Sequence, residues 1–372
     1  IYLNAKVYTG TERNNDAATL CSEVINSGYT FANVPYRHLF SANNDRNGAQ
    51  SEFIFPIISD GNAIRATGGG MSFILHASIG GSIDAASQGM DGGWQGIRTR
   101  KEFIASFGTP TGSFDFYQTK SKNLANNTGI LVNKDGQAFD SSDKNEKDAG
   151  YNANNTYLFN LVTGVITLNG VTVPAPTGFT NAPVSLGKQQ VWGDKRLYAY
   201  TPGQALDIAN TSTFTDGYAV TKFKNVTSSG QRGRDASGNF VDTDVPLIRL
   251  SEIYLNYAEA TLRGGNGSST EALNKINLIR TRAYGNTTGN IASTALTLNF
   301  VLDERARELF WEGQRRTDLV RYNHFTTNTY LWPFKGNAPS GSAVGNFRNL
   351  FPIPSNTLQV NSNLTQNPGY PQ

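Results

Sequence analysis

The chain is poor in the residues that most often announce chemistry. It has one cysteine, Cys21, among 372 residues, which rules out an intramolecular disulfide and a cysteine-based metal cluster. Three histidines, His38, His76 and His324, stand too far apart for metal-ligand spacing, and no HExxH, P-loop or G-x-S-x-G elbow occurs. Charged residues make up only 16%, with Lys+Arg 32 against Asp+Glu 29 and a net charge of +3. So small a basic excess gives no field for holding phosphates, and nucleic acid is not an expected partner. No run of about 18 apolar residues is present, so no spanning helix is expected within these residues.

What fills the chain instead is glycine, 38 residues of it, with abundant Asn, Ser and Thr. Such a composition favours long ordered loops over tightly packed regular elements. Helical periodicity is clearest at the two ends. Asn15 or Asp16 can cap a helix with Leu20, Val24 and Ile25 along one stripe, and Gly28 can stop it. Cys21 falls within that helix and reads as a buried, unreactive thiol. SEFIFPI, residues 51 to 57, fits a short edge strand limited by Pro56.

Periodicity fades between residues 59 and 245. Glycine-rich pieces alternate there with short strand-like stretches, among them NLVTGVITLNGVTV and YAVTKF, which have hairpin character. Asn169-Gly170 is a two-residue hairpin turn signal. The polar stretch from Asp135 through Asp140, Asp143 and Asp148 reads as a solvated loop, with calcium as the cation its carboxylates would suit, although the spacing is not that of an EF-hand. No other cofactor is expected. From Pro246 the helical period returns, with Leu250, Ile253, Tyr254, Tyr257, Ala258 and Thr261 on one face. A second helix follows, with a Ser268 and Glu271 capping pattern and a stripe of Ala272, Ile276, Ile279 and Ala283. Two antiparallel helices with small residues at the contact are the unit of tetratricopeptide-like repeats. Residues 302 to 321 read as a third helix in which Glu312 can pair with Arg315 or Arg316.

Four blocks in this order resemble the SusD/RagB family: RLSEIYLNYAEA (249 to 260), INLIRTRAYG (276 to 285), LDERARELFWEGQRRTDLVR (302 to 321) and LFPIPSNTLQVNSNLTQNPGY (350 to 370). Upstream, YLNAKVYTG and the helix after it look like that family's middle helical pair. The resemblance implies a mainly α, SusD-like fold: tetratricopeptide-like helical pairs plus a large loop-rich region with short strands and hairpins. It is read as one domain lacking its amino-terminal part. Residues 1–58 hold the middle helical pair and exit strand, 59–245 the loop-rich ligand region, and 246–372 the C-terminal helical pairs and terminal loop. It also implies a surface-exposed outer-membrane lipoprotein, attached through an amino-terminal lipid outside these residues. Such a protein binds an oligosaccharide and delivers it to a SusC-like TonB-dependent transporter. Peptide capture and a ligand-free structural lid are the alternatives, and the chain is not expected to be an enzyme.

Sugar rings offer flat C–H faces to aromatic rings and hydroxyls to amide, carboxylate and guanidinium groups. Trp94, set among Gly92, Gly93 and Gly96 with Asp91, Gln95 and Arg98 close by, is the leading candidate for such a surface, though it could equally pin a loop. Trp192, flanked by Gln190, Asp194 and Lys195, is a second candidate and could equally be the buried residue of a strand; Tyr117 with Phe116 could widen the platform, though nothing local distinguishes them from core residues. His76 leads into the same glycine-rich region, with a satisfied buried ring as its plainer reading. Trp311 reads as packing and Trp332 as a loop residue. Glu304, Glu308 and Glu312, at fourfold spacing, could suggest a glycosidase pair, but the interleaved Arg305, Arg307, Arg315 and Arg316 mark an ion-paired helix face.

Overall fold

The computed structural model describes residues 1–65, 70–118, 131–132, 138–139, 157–159, 166–168, 171–173 and 184–371. Helices from both chain ends share one core. The Leu250–Leu262 helix packs on the Asn14–Ile25, Ser269–Tyr284 and Leu298–Glu308 helices. Alanines make the closest approach: Ala17 and Ala18 of the early helix meet Ala260 of the late one. A side-chain amide ties the same joint, since Asn14 Nδ2 donates to the Arg263 carbonyl at 3.0 Å.

The second late helix forms as its sequence requires. Ser268 Oγ accepts from the Glu271 N–H at 3.3 Å, Gly285 ends the helix in the left-handed conformation, and Ala272, Ile276, Ile279 and Ala283 are fully buried. The early helix departs from expectation. It starts at Asn14 without a side-chain cap and buries Ala17 and Ala18, while Leu20 is exposed. Close helix–helix contact selects the small residues, and the bulkier leucine turns away. Cys21 packs against the helical core, and burial raises its thiol to about 12.

The third expected helix is two. Leu298–Glu308 ends in a turn where Trp311 (φ 62°) and Gly313 (φ 79°) are left-handed, and Arg315–Arg321 resumes beyond it. Glu312 therefore leaves the surface, and it pairs with Arg249 (2.7 Å) and Lys222 (2.6 Å) rather than with Arg315 or Arg316. The other carboxylates of this segment are likewise buried. Glu304 meets Arg196 (2.8 Å), Arg280 (2.7 Å) and Arg307 (2.7 Å). Glu308 meets Arg249 (2.6 Å), Arg282 (2.9 Å) and Arg196 (3.0 Å), and Glu52 meets Arg249 (3.0 Å) and Arg282. Burial alone would raise the Glu304 carboxyl, but Arg196, Arg307 and Arg280 outweigh it and hold the group down at about 2.

The strands are short. Phe53–Ile57 pairs antiparallel with Val245–Arg249, with Phe53 buried and Phe55 and Ile57 exposed. Ile166–Leu168 and Val171–Val173 pair as the hairpin expected, and their turn residues, Asn169 and Gly170, lie outside the described residues. So do Asp135, Asp140, Asp143 and Asp148. The YAVTKF segment does not form a local hairpin. Its Tyr218–Val220 strand lies between Ala199–Tyr200 and Arg98–Thr99, and this small sheet fastens the loop region beside the second hydrophobic core.

Candidate functional site

The residues around Trp94 are held by a helix that fading periodicity concealed. Gly70–Ser78 buries Met71, Ser72, Leu75, His76, Ala77 and Ser78 and turns Phe73 outward. A helix leaves its last carbonyls without partners of its own. Here the following loop supplies them: Trp94 N–H donates to His76 O (2.8 Å), and the Gly96 and Ile97 N–H groups donate to Ala77 O (2.9 and 2.7 Å). Gln95 N–H donates to Ile79 O just beyond (3.0 Å). Gly93 is required by this fastening, because a Cβ there would lie 2.4 Å from the Ile79 carbonyl oxygen. Gln95 takes a left-handed conformation (φ 56°) to carry the chain past the tip.

The backbone arrangement lays the indole of Trp94 over the ring of His76, with centroids 4.5 Å apart and planes 14° apart. Phe73 meets the same indole edge-on at 5.8 Å and 65°. The outer surface stays open: Trp94 is 54% exposed and Phe73 51%. His76 is buried beneath, its Nδ1 2.7 Å from Ser72 O and its Nε2 2.9 Å from Asp91 Oδ1. Both ring nitrogens are therefore engaged, and the ring cannot rotate under the indole. A second loop closes from behind, where Asp91 N–H donates to Gly238 O (3.2 Å) and Ser72 Oγ to Asn239 O (2.7 Å).

The candidate residues separate into three groups. Trp94, Asp91 and Gln95 share the exposed surface. Asp91 uses one carboxylate oxygen on His76 and keeps the other without a partner among the described residues, as does the Gln95 side chain. Two expectations need correcting to a supporting role. His76 is covered by Trp94 and cannot reach a ligand itself. Arg98 is a strut, its Nε donating to Asp216 O (2.8 Å) and its Nη2 to Thr211 O (2.8 Å). Trp192 lies elsewhere, 7% exposed in the second core with Nε1 donating to Gly108 O at 3.2 Å; a strand end turned inward gives no platform. Tyr117 and Phe116 lie on the Gly112–Gln118 strand, and their side chains fall outside the described residues. Phe73 was missed. Its signal was an aromatic residue out of phase with the Met71, Leu75 and Ile79 spacing.

The chain is a frame of paired helices that carries a solvent-facing aromatic pair, Trp94 and Phe73. The SusD family model matches residues 51–370, and the chain belongs to that family. It is 32% identical over 375 residues to the starch-binding protein SusD of Bacteroides thetaiotaomicron, covering 100% of this chain and 58% of the relative, so it spans little more than half of that protein's length. Solved structures agree on the fold. A SusD superfamily protein from Parabacteroides distasonis superposes with a TM-score of 0.53 at 17% identity, covering 99% of this chain and 60% of the other. Surface glycan-binding protein A from Bacteroides thetaiotaomicron does so with a TM-score of 0.52 at 20% identity, covering 98% and 61%.

Proposed function

We propose that this chain captures a glycan at the cell surface and passes it to a SusC-like TonB-dependent transporter, acting as a binding protein rather than an enzyme. The observation that carries this reading is the exposed Trp94–Phe73 pair, backed by a buried histidine and flanked by Asp91 and Gln95. An indole held flat and open offers the apolar face that a pyranose ring covers, and the adjacent carboxylate and amide can take its hydroxyls. Kinship with a starch-binding protein supports the ligand class. The buried glutamates of the Leu298–Glu308 helix support the non-catalytic reading, since each is saturated by guanidinium groups and sealed from substrate. Attachment to the outer membrane through a lipid upstream of these residues completes the proposal. Among the described residues no helix is long and apolar enough to cross a membrane.

Isothermal titration with malto-oligosaccharides and with plant, host and microbial glycans tests the proposal. Saturable binding that weakens on Trp94→Ala is expected. Absence of binding to every glycan, or copurification of peptides in place of sugars, would overturn it.

A further inference from the structure

A second cavity, of about 660 Å³, shares no lining residue with the Trp94 surface. Its size lies within the roughly 300–1,000 Å³ of small-molecule sites. One feature of its wall is left open, Arg37. Its guanidinium lies 3.6 Å from the centroid of the Tyr198 ring and donates from Nη1 to Thr221 O at 3.0 Å, yet no carboxylate pairs with it among the described residues. Arg196 and Arg249, buried in the helical frame, are each met by several carboxylates. Burial pushes the Arg37 guanidinium below its ordinary pKa, against the opposing effect of the Tyr198 hydroxyl beside it.

Among the described lining residues the one carboxylate is Asp84, which accepts from Ala86 N–H (3.3 Å) and Ser87 N–H (2.7 Å) in its own turn and forms no ion pair with Arg37. The cavity therefore holds a guanidinium without a carboxylate partner among the described residues, beside Tyr198 and Tyr200.

We propose that this cavity is a second saccharide subsite selective for an acidic sugar, whose carboxylate pairs with Arg37. An Arg–carboxylate pair in a shielded wall is charge-assisted and directional, and a neutral sugar cannot replace it. The proposal does not rest on the Trp94 surface and survives its failure.

Titration of the chain with digalacturonate, its methyl ester and cellobiose separates the cases. The acid is expected to bind about tenfold or more tightly than its ester, in keeping with one charge-assisted pair, and to weaken as salt rises. Arg37→Gln removes the preference for acid over ester. Equal affinity for acid and ester, an unaltered preference in Arg37→Gln, or no binding of the acid at millimolar concentration would each overturn the proposal. Should Arg37→Gln fail to fold, Arg37→Lys keeps the charge without the planar fork and is expected to bind the acid more weakly than the parent. A crystal soaked with digalacturonate must then show the ligand in this cavity and not on Trp94.

Discussion

The helical frame and the Trp94 surface solve opposite problems with the same residue types. In the frame, charges lie in the interior and every glutamate of the Leu298–Glu308 helix is surrounded by arginines. At the surface, an aromatic residue lies outside and its polar neighbours keep unused hydrogen-bonding capacity. Exposure alone therefore does not separate structural from functional residues here. Saturation is the better guide: the frame glutamates Glu304 and Glu308 are each met by three arginines, whereas Asp91 at the surface uses one carboxylate oxygen only.

The contrast predicts where substitutions act. Glu308→Ala should be the most damaging change, because it removes the buried carboxylate that Arg196, Arg249 and Arg282 share and leaves them with Asp194, Glu304, Glu52 and Glu312 alone. A loss of about 3–5 kcal/mol is expected for breaking such a network, visible as a lowered urea midpoint or as failure to fold, with no separate effect on ligand affinity per folded molecule. Stability should also fall in acid. The Glu304 carboxyl is held down at about 2 in the folded chain, against an ordinary value of 4.5. Its contribution is therefore complete above the unfolded value and is lost as pH drops from near 5 toward 2. A flat urea midpoint across that range would contradict the ion-paired frame.

At the surface the order reverses, with affinity responding more than stability. Trp94→Ala should cost about 1–3 kcal/mol of glycan binding, as removal of a stacking platform does, while the thermal midpoint moves little. Gly93→Ala forces the loop away from the Ile79 carbonyl and should weaken binding less than Trp94→Ala, because the indole survives but is tilted. A Gly93→Ala variant with unchanged affinity would show that the tilt is unimportant. The smallest effect is expected from Glu12→Gln. Its ion pair with Lys6 (2.5 Å) is solvent-exposed, and thermal scans should not distinguish the variant from the parent.

Much of the frame could be read directly from the chain. The Ala272, Ile276, Ile279 and Ala283 stripe and the Ser268 cap are local signals, and local signals fix a helix. The break at Trp311 and Gly313 was hidden, because both flanking segments keep helical spacing and the turn is imposed by Glu312 reaching Lys222 and Arg249, both distant in sequence. Trp94 stood out because glycines seldom surround a core indole. Its support did not, since Phe73 and the Gly70–Ser78 helix lie in a short segment rich in small residues, too brief for a convincing period. Trp192 could be read either way from the chain, because polar neighbours such as Gln190 and Lys195 describe the two sides of a strand as readily as an open surface, and its burial selects the structural reading.

The tip of the Trp94 loop is fastened by main-chain atoms, through four N–H groups hooked onto carbonyls at and just beyond the end of one helix. A mount of that kind is indifferent to what it carries. The residue at the tip can be exchanged for another ring, or for a polar group, while the main-chain bracket beneath it keeps its hydrogen bonds.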